Sequence, residues 1–328
     1  MMSPLASRLF GAVKVLPFLL PVSTALAQTD TSALEWLQRI YAATQKLNYT
    51  GIFVYQQGQQ VETSRITHIV EATGPRERLE TLDGIPREII RTRDQVVCYL
   101  PASMTVKIDK PSGTLMFPAI LPDRLKELSE NYSIRKGEME RVGGYDCQVI
   151  ILEPKDRMRY GHRLWADLNT GMLLKVKTFD EKNEMLEQFV FTQLQIGGAI
   201  GRQQLKARFS RASRDWRVED SGAVRTNLAD AGWTIRSRPP GFRTVTELLR
   251  TLGGTSGVGH IVLSDGLAAV SVFIQPAKSK QQGSQPGLVR QGAVNVYMRP
   301  VGEYWVTVVG EAPPESVKYI ANAVEYRK

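Results

Sequence analysis

Cysteine and histidine are scarce in this chain of 328 residues. There are two of the first, Cys98 and Cys147, and three of the second, His68, His162 and His260. No second Cys or His stands at ligand spacing from either cysteine, so no metal site is expected. The sequence also lacks a nucleophile elbow, a zinc-binding helix motif, a phosphate loop, a calcium loop and a dinucleotide fingerprint. No cofactor is implied. Each histidine falls in or beside a predicted strand, where a structural role is the ordinary one. His260, Ser264 and Asp265 are close in sequence, but a triad needs convergence in space. Ser264-Asp265-Gly266 reads instead as turn chemistry. Two cysteines exclude a disulfide-dense scaffold, and 42% apolar with 23% charged residues excludes a disordered or collagen-like chain. On its residues alone the chain reads as a non-enzymatic binding protein.

What is present begins with an export signal. Arg8 and Lys14 precede an apolar core over residues 15–22, and Ala25-Leu-Ala27 closes it as a small-x-small cleavage site. Cleavage after Ala27 is expected. A membrane anchor is disfavoured, because a spanning helix needs roughly 20 apolar residues and this core is shorter and holds two prolines. No later segment is apolar enough to span a bilayer. The formal net charge of +9 favours anionic partners. Export argues against nucleic acid as that partner.

Two units follow. Ser32-x-x-Glu35 is a capping box, and Leu34, Leu37, Ile40, Tyr41, Thr44 and Leu47 recur at helical spacing, predicting a helix to about residue 47. Strand-like runs then cover 49–56, 59–70, 76–82, 86–92, 95–100, 105–109, 132–136, 146–153, 163–168, 172–179 and 186–195. Asp83-Gly84 is a strong hairpin signal among them. Many short strands without intervening helices mean an antiparallel meander, sandwich or barrel. A short helix is expected over 123–129. After a basic stretch, runs at 260–263, 267–274, 294–298 and 304–309 and a helix from Pro313-Pro314 make a small α+β unit. Residues 276–292, rich in Lys, Gln, Ser and Gly, read as a loop. The α+β chain thus divides into 28–208, a basic linker over 209–222, and 223–328.

Three features leave alternatives open. Cys98 and Cys147 are either a bridge permitted by export or two buried thiols. The apolar stretch Leu115, Met116, Phe117, Ile120, Leu121 is either a loop over a barrel mouth touching an apolar ligand or ordinary core, the latter preferred. The stretch with Arg202, Lys206, Arg208, Arg211, Arg214 and Arg217 holds phosphates or an acidic peptide, or is a solvated connector.

Several stretches resemble one family. They are Asn48-Tyr-Thr-Gly-Ile-Phe-Val-Tyr-Gln56, Leu82-Asp-Gly-x-x-Arg-Glu88, Leu152-Glu-Pro-Lys-Asp-Arg-Met-Arg-Tyr-Gly161 and Leu186-Glu-Gln-Phe-x-Phe-Thr192. Pro239-Pro-Gly-Phe242, Ser264-Asp-Gly-Leu and Val306-Thr-Val-Val-Gly-Glu311 follow in order. Together they are similar to the RseB/MucB family of periplasmic negative regulators of an envelope-stress sigma factor. The resemblance implies a large open antiparallel β-barrel with packed helices, like LolA and LolB, joined to a smaller α+β domain. It also implies a partner, the periplasmic domain of an RseA/MucA-type membrane anti-sigma factor, shielded from site-1 proteolysis. Lipopolysaccharide or lipoprotein acyl chains would release that partner. In this frame Leu115, Met116, Phe117, Ile120 and Leu121 are candidates for acyl contact, and Arg208, Arg211 and Arg214 for anionic head groups or the partner. The rival is a lipoprotein or lipid carrier of LolA type, which does not need the second unit. An exported hydrolase is a distant third, and a homodimer is left open.

Overall fold

The computed structural model describes residues 31–111, 117–122, 124–210, 212–277 and 286–327. The expected signal segment lies outside them. Helix α1 (Thr31–Lys46) begins one residue before the expected cap, which places Ser32 inside its first turn. Its Ala33, Leu37 and Ile40 fall on one stripe and are fully buried.

The period then changes to two. Strands β1 (Tyr49–Gln57), β2 (Gln60–Glu71), β3 (Gly74–Thr81), β4 (Glu88–Arg91), β5 (Val96–Leu100) and β6 (Thr105–Asp109) form one antiparallel meander. Helix α2 (Leu125–Asn131) follows, two residues later than expected. A second meander comprises β7 (Tyr132–Val142), β8 (Tyr145–Pro154), β9 (Gly161–Asp167), β10 (Leu173–Phe179) and β11 (Met185–Ile196). β11 returns to pair with β1, so both meanders share one sheet. β12 (Arg217–Asp220) extends its edge by pairing in parallel with β6.

The resulting order is β12-β6-β5-β4-β3-β2-β1-β11-β10-β9-β8-β7. Its end strands do not pair with each other, so the sheet is open and no closed barrel forms. It is nonetheless strongly curled. Ile89 on β4 and His162 on β9 line one cavity although five strands lie between them.

The segment expected as a basic connector is laid along this sheet. Leu205 is buried, Phe209 packs against Trp216, and β12 supplies the edge strand. Backbone groups along the free edge of β6 are thereby paired instead of left to solvent.

The second unit holds β13 (Val224–Arg225), β14 (Trp233–Ile235), β15 (Arg243–Leu252), β16 (Thr255–Ser264), β17 (Ala269–Pro276), β18 (Gly287–Gln291), β19 (Val294–Val301) and β20 (Tyr304–Gly310). Helix α3 (Pro314–Ala323) and β21 (Val324–Tyr326) end it. Seven strands form an antiparallel sheet in the order β13-β15-β16-β17-β20-β19-β18, and β14 pairs with β21. Val270, Val272 and Ile274 alternate along β17 and meet Val317, Ile320 and Ala321 of α3 in a sealed core. β15 and β18 were not expected. β18 falls in the segment read as a loop.

One network joins the units. Arg159, between β8 and β9, and Asp265, between β16 and β17, are both fully buried and pair at 2.7 Å. Tyr132 donates its hydroxyl to the same Asp265 oxygen at 3.1 Å, and Arg159 also donates to the Pro240 carbonyl at 2.6 Å. The other Asp265 oxygen accepts the N–H groups of Leu267 and Ala268. Two turns must approach closely for this. A Cβ on Gly241, at φ +77°, would sit 2.2 Å from the Asn131 side chain at the end of α2, and one on Gly266, at φ +105°, 3.0 Å from Pro122.

Candidate functional site

Helices α1 and α2 cover only part of the concave face of the large sheet. Beyond them is a cavity of about 400 Å³, in the size range of small-ligand pockets. Strand alternation makes most of its wall apolar: Phe53, Ile66, Leu79, Ile89, Val176 and Phe189 all point inward. Phe117, from the loop before α2, packs over Phe53, Phe189 and Phe191 at centroid distances of 5.5, 5.2 and 5.1 Å. Leu267 and Glu311 reach in from the second unit, so both units close the cavity.

Polar groups sit at two places. On the β3–β4 side Arg87 pairs with Glu62 at 3.0 Å and Arg91 with Glu77 at 3.1 Å. Burial raises the Glu77 carboxyl, but hydrogen bonds with His68 and Arg91 outweigh it and leave it below its ordinary value. On the β9–β11 side Tyr55 donates to Glu187 at 3.0 Å, Thr178 donates to Glu187 at 3.2 Å, and the His162 Nδ1 lies 3.4 Å from the Thr178 hydroxyl. Burial lowers the His162 pKa to about 4, so the ring is neutral. Burial also raises the Glu187 carboxyl. Desolvation of its carboxyl in the cleft, then the Glu187 charge, pushes Glu311 up to about 7, although the residue as a whole is exposed.

The candidate ligand residues separate. Phe117 and Ile120 line the cavity, whereas Leu121 turns away into the core. Leu115, Met116 and Arg211 lie outside the described residues. Arg208 is on the opposite face. It pairs with Glu80 at 3.1 Å, and its N–H donates to the fully buried Glu88. Glu80 and Glu88 alternate with the inward-facing Leu79 and Ile89, so this pairing is on the outer surface. Arg214 is exposed on the same connecting segment. The cations at the cavity are Arg87 and Arg91, which sequence reasoning did not single out. Arg87 was within the quoted Leu82–Glu88 motif.

Cys98 and Cys147 are not bridged. They lie on β5 and β8, well separated in strand order, as free thiols. Burial raises both, and burial with the Asp167 charge takes Cys147 to about 12. Among the described residues no group of acidic, His and Cys side chains is arranged for a metal ion.

The same architecture recurs in known proteins. The MucB/RseB N-terminal domain matches residues 32–209, and the MucB/RseB C-terminal domain matches residues 227–325. The chain belongs to the MucB/RseB family. It is 30% identical to the sigma factor AlgU regulatory protein MucB of Pseudomonas aeruginosa, over 91% of this chain and 92% of the relative. It is 27% identical to the sigma-E factor regulatory protein RseB of Salmonella typhimurium, over 93% and 94%. Among solved structures, the Pseudomonas aeruginosa MucA/MucB complex aligns with a TM-score of 0.69 at 29% identity, covering 91% of this chain and all of that one. MucB in complex with MucA(peri) aligns at 0.67 and 30% identity, over 90% and 99%. The relatives named here are regulatory proteins. No described helix in this member is long and apolar enough to cross a membrane.

Proposed function

We propose that this MucB/RseB member is a periplasmic, non-enzymatic regulator of an envelope-stress sigma factor. It binds the periplasmic segment of an RseA/MucA-type anti-sigma factor and shields it from site-1 proteolysis. It releases that segment when an acyl chain of lipopolysaccharide or a lipoprotein enters the aromatic cavity. The observation that carries this reading is the shared cavity, walled by Phe53, Phe117 and Phe189 of the first unit and by Leu267 of the second. A ligand there touches both units at once. It shifts their arrangement by as much as it prefers the released form. The solved complexes of a relative with MucA support the partner.

Fluorescence anisotropy tests this. The probe is the labelled periplasmic segment of the anti-sigma factor from the same organism, titrated with protein lacking residues 1–27. Lipopolysaccharide or an acylated peptide is then added. Tight binding reversed by the lipid is the expected result. Lipid capture without segment binding at moderate salt makes the protein a carrier instead.

A further inference from the structure

The lining of the cavity is acidic in a chain that is basic as a whole. Four carboxylates line it, Glu62, Glu77, Glu187 and Glu311, against two guanidiniums, Arg87 and Arg91. Both guanidiniums are already paired, with Glu62 and Glu77. The β9–β11 side carries no cation among its lining residues.

The hydrogen-bond order on that side is determined by its donors. Thr178 gives its only proton to Glu187, so its oxygen accepts from His162 Nδ1–H. The neutral ring, itself part of the cavity lining, is then left with Nε2 as a bare acceptor. Nε2 is buried and makes no hydrogen bond within the protein. The remaining lone pairs of Glu187 and the Glu311 carboxyl are acceptors too. An apolar cavity therefore ends in a wall built almost wholly of acceptors, one of them unpaired.

We propose that His162, Thr178 and Glu187, with Glu311 across the unit boundary, form a polar subsite for amphiphiles that carry hydroxyl or amide N–H donors beside the acyl chain. The same wall excludes carboxylate-headed chains. The inference rests on the cavity being the acyl site proposed above. A donor from the ligand satisfies His162 Nε2, which otherwise bears the cost of a buried unpaired acceptor. An anion placed there meets Glu187 and Glu311 with no free cation to offset them.

Displacement of N-phenyl-1-naphthylamine from the purified chain at pH 8 tests this with three probes of equal chain length. They are N-dodecanoylethanolamine, methyl dodecanoate and dodecanoate. The ethanolamide should compete about tenfold better than the methyl ester, as one hydrogen bond to a buried acceptor allows, and dodecanoate should be weakest. His162→Phe keeps a ring and removes the acceptor, and should reduce the ethanolamide advantage to about threefold or less. Glu311→Gln, at an exposed position, should improve dodecanoate relative to the methyl ester. Equal competition by all three probes in the unsubstituted protein overturns the subsite and leaves the cavity standing. An ethanolamide advantage that stays near tenfold in His162→Phe also overturns it. Failure of every probe to displace the dye removes the acyl cavity itself and the subsite with it.

Discussion

The two sheets of this protein solve the same problem differently. In the second unit a ten-residue helix, α3, is laid over a seven-stranded sheet, and the core beneath it is sealed. Val270, Val272, Val306, Val308, Val317 and Ile320 are all fully buried. In the first unit α1 and α2 face a twelve-stranded sheet and do not cover it. The sheet curls to bury the remainder, and what curling leaves is the cavity. The difference teaches that the cavity is a consequence of too little helix for too much sheet. A pocket of this origin has apolar walls by default, because its lining is the inner face of strands whose pattern was set for burial. Polar groups in it, such as His162 and Glu187, are departures from that pattern.

The comparison holds only while the second unit closes the first, so the largest effect should come from their shared ion pair. Arg159→Ala leaves Asp265 buried without its partner and should cost about 3–5 kcal/mol. Urea unfolding followed separately in each unit should show the two transitions drawing apart. One unchanged cooperative transition would show that the pair does not hold the units together.

Packing gives the next effect. Ile274→Ala in the sealed core should cost about 2–5 kcal/mol. Ile120→Ala, at a wall that already borders open space, should cost only the lost transfer term, about 1–2 kcal/mol. Equal losses, measured from denaturant midpoints, would mean the cavity wall is packed as tightly as the core.

A smaller effect is pH-dependent. Glu311 is raised from 4.5 to about 7 in the fold. The native state therefore holds a proton that the unfolded chain has lost, and this contribution to stability falls as pH rises from about 4.5 to 7. His162 and His260 are lowered from 6.5 to about 4, so theirs rises with pH over about 4 to 6.5. Glu311→Gln removes the falling part alone. The Tm at pH 8 minus the Tm at pH 5 should become more positive in that variant. No change would show that the fold does not raise the Glu311 carboxyl.

The smallest effect concerns the thiols. With no bridge between Cys98 and Cys147, a reductant should leave the Tm unchanged, and two thiols should titrate after unfolding. A reductant-dependent Tm would refute the free pair.

Local periodicity made most elements legible. The stripe of Leu37 and Ile40, the alternation around Tyr49 to Phe53, and the Asp83-Gly84 turn each declare an element within a few residues. Strands with weak or polar alternation were not legible, such as β15, β18 and β12. Their partners, not their own side chains, make them strands. For the site, Phe117 and Ile120 stood out because an apolar run in a loop is conspicuous; the sequence favoured ordinary core for that run, and the fold puts both at the cavity wall, with Phe117 also in the core cluster. Arg208 was a candidate for an anionic head group or the partner, and only the fold puts it on the outer face of the sheet beside Glu80, because charge spacing does not say which face of a sheet a segment crosses. Arg159 and Asp265 were hidden for another reason. Each stood in a quoted motif, but 106 residues separate them and no short-range pattern links a guanidinium to so distant a carboxylate.

The sequence by itself made the class of the protein legible: an expected export signal in its first residues, many strands with few helices by its periods, and a likeness to the MucB/RseB family by its ordered motifs. Only the tertiary structure decided that Phe53, Phe117 and Phe189 converge, that His162 faces acceptors with an unpaired nitrogen, and that a buried ion pair joins the units. The physical reason is range. Periodicity and turn chemistry act over a few residues and are written along the chain, whereas a cavity is the space left by surfaces that meet only after the chain has folded.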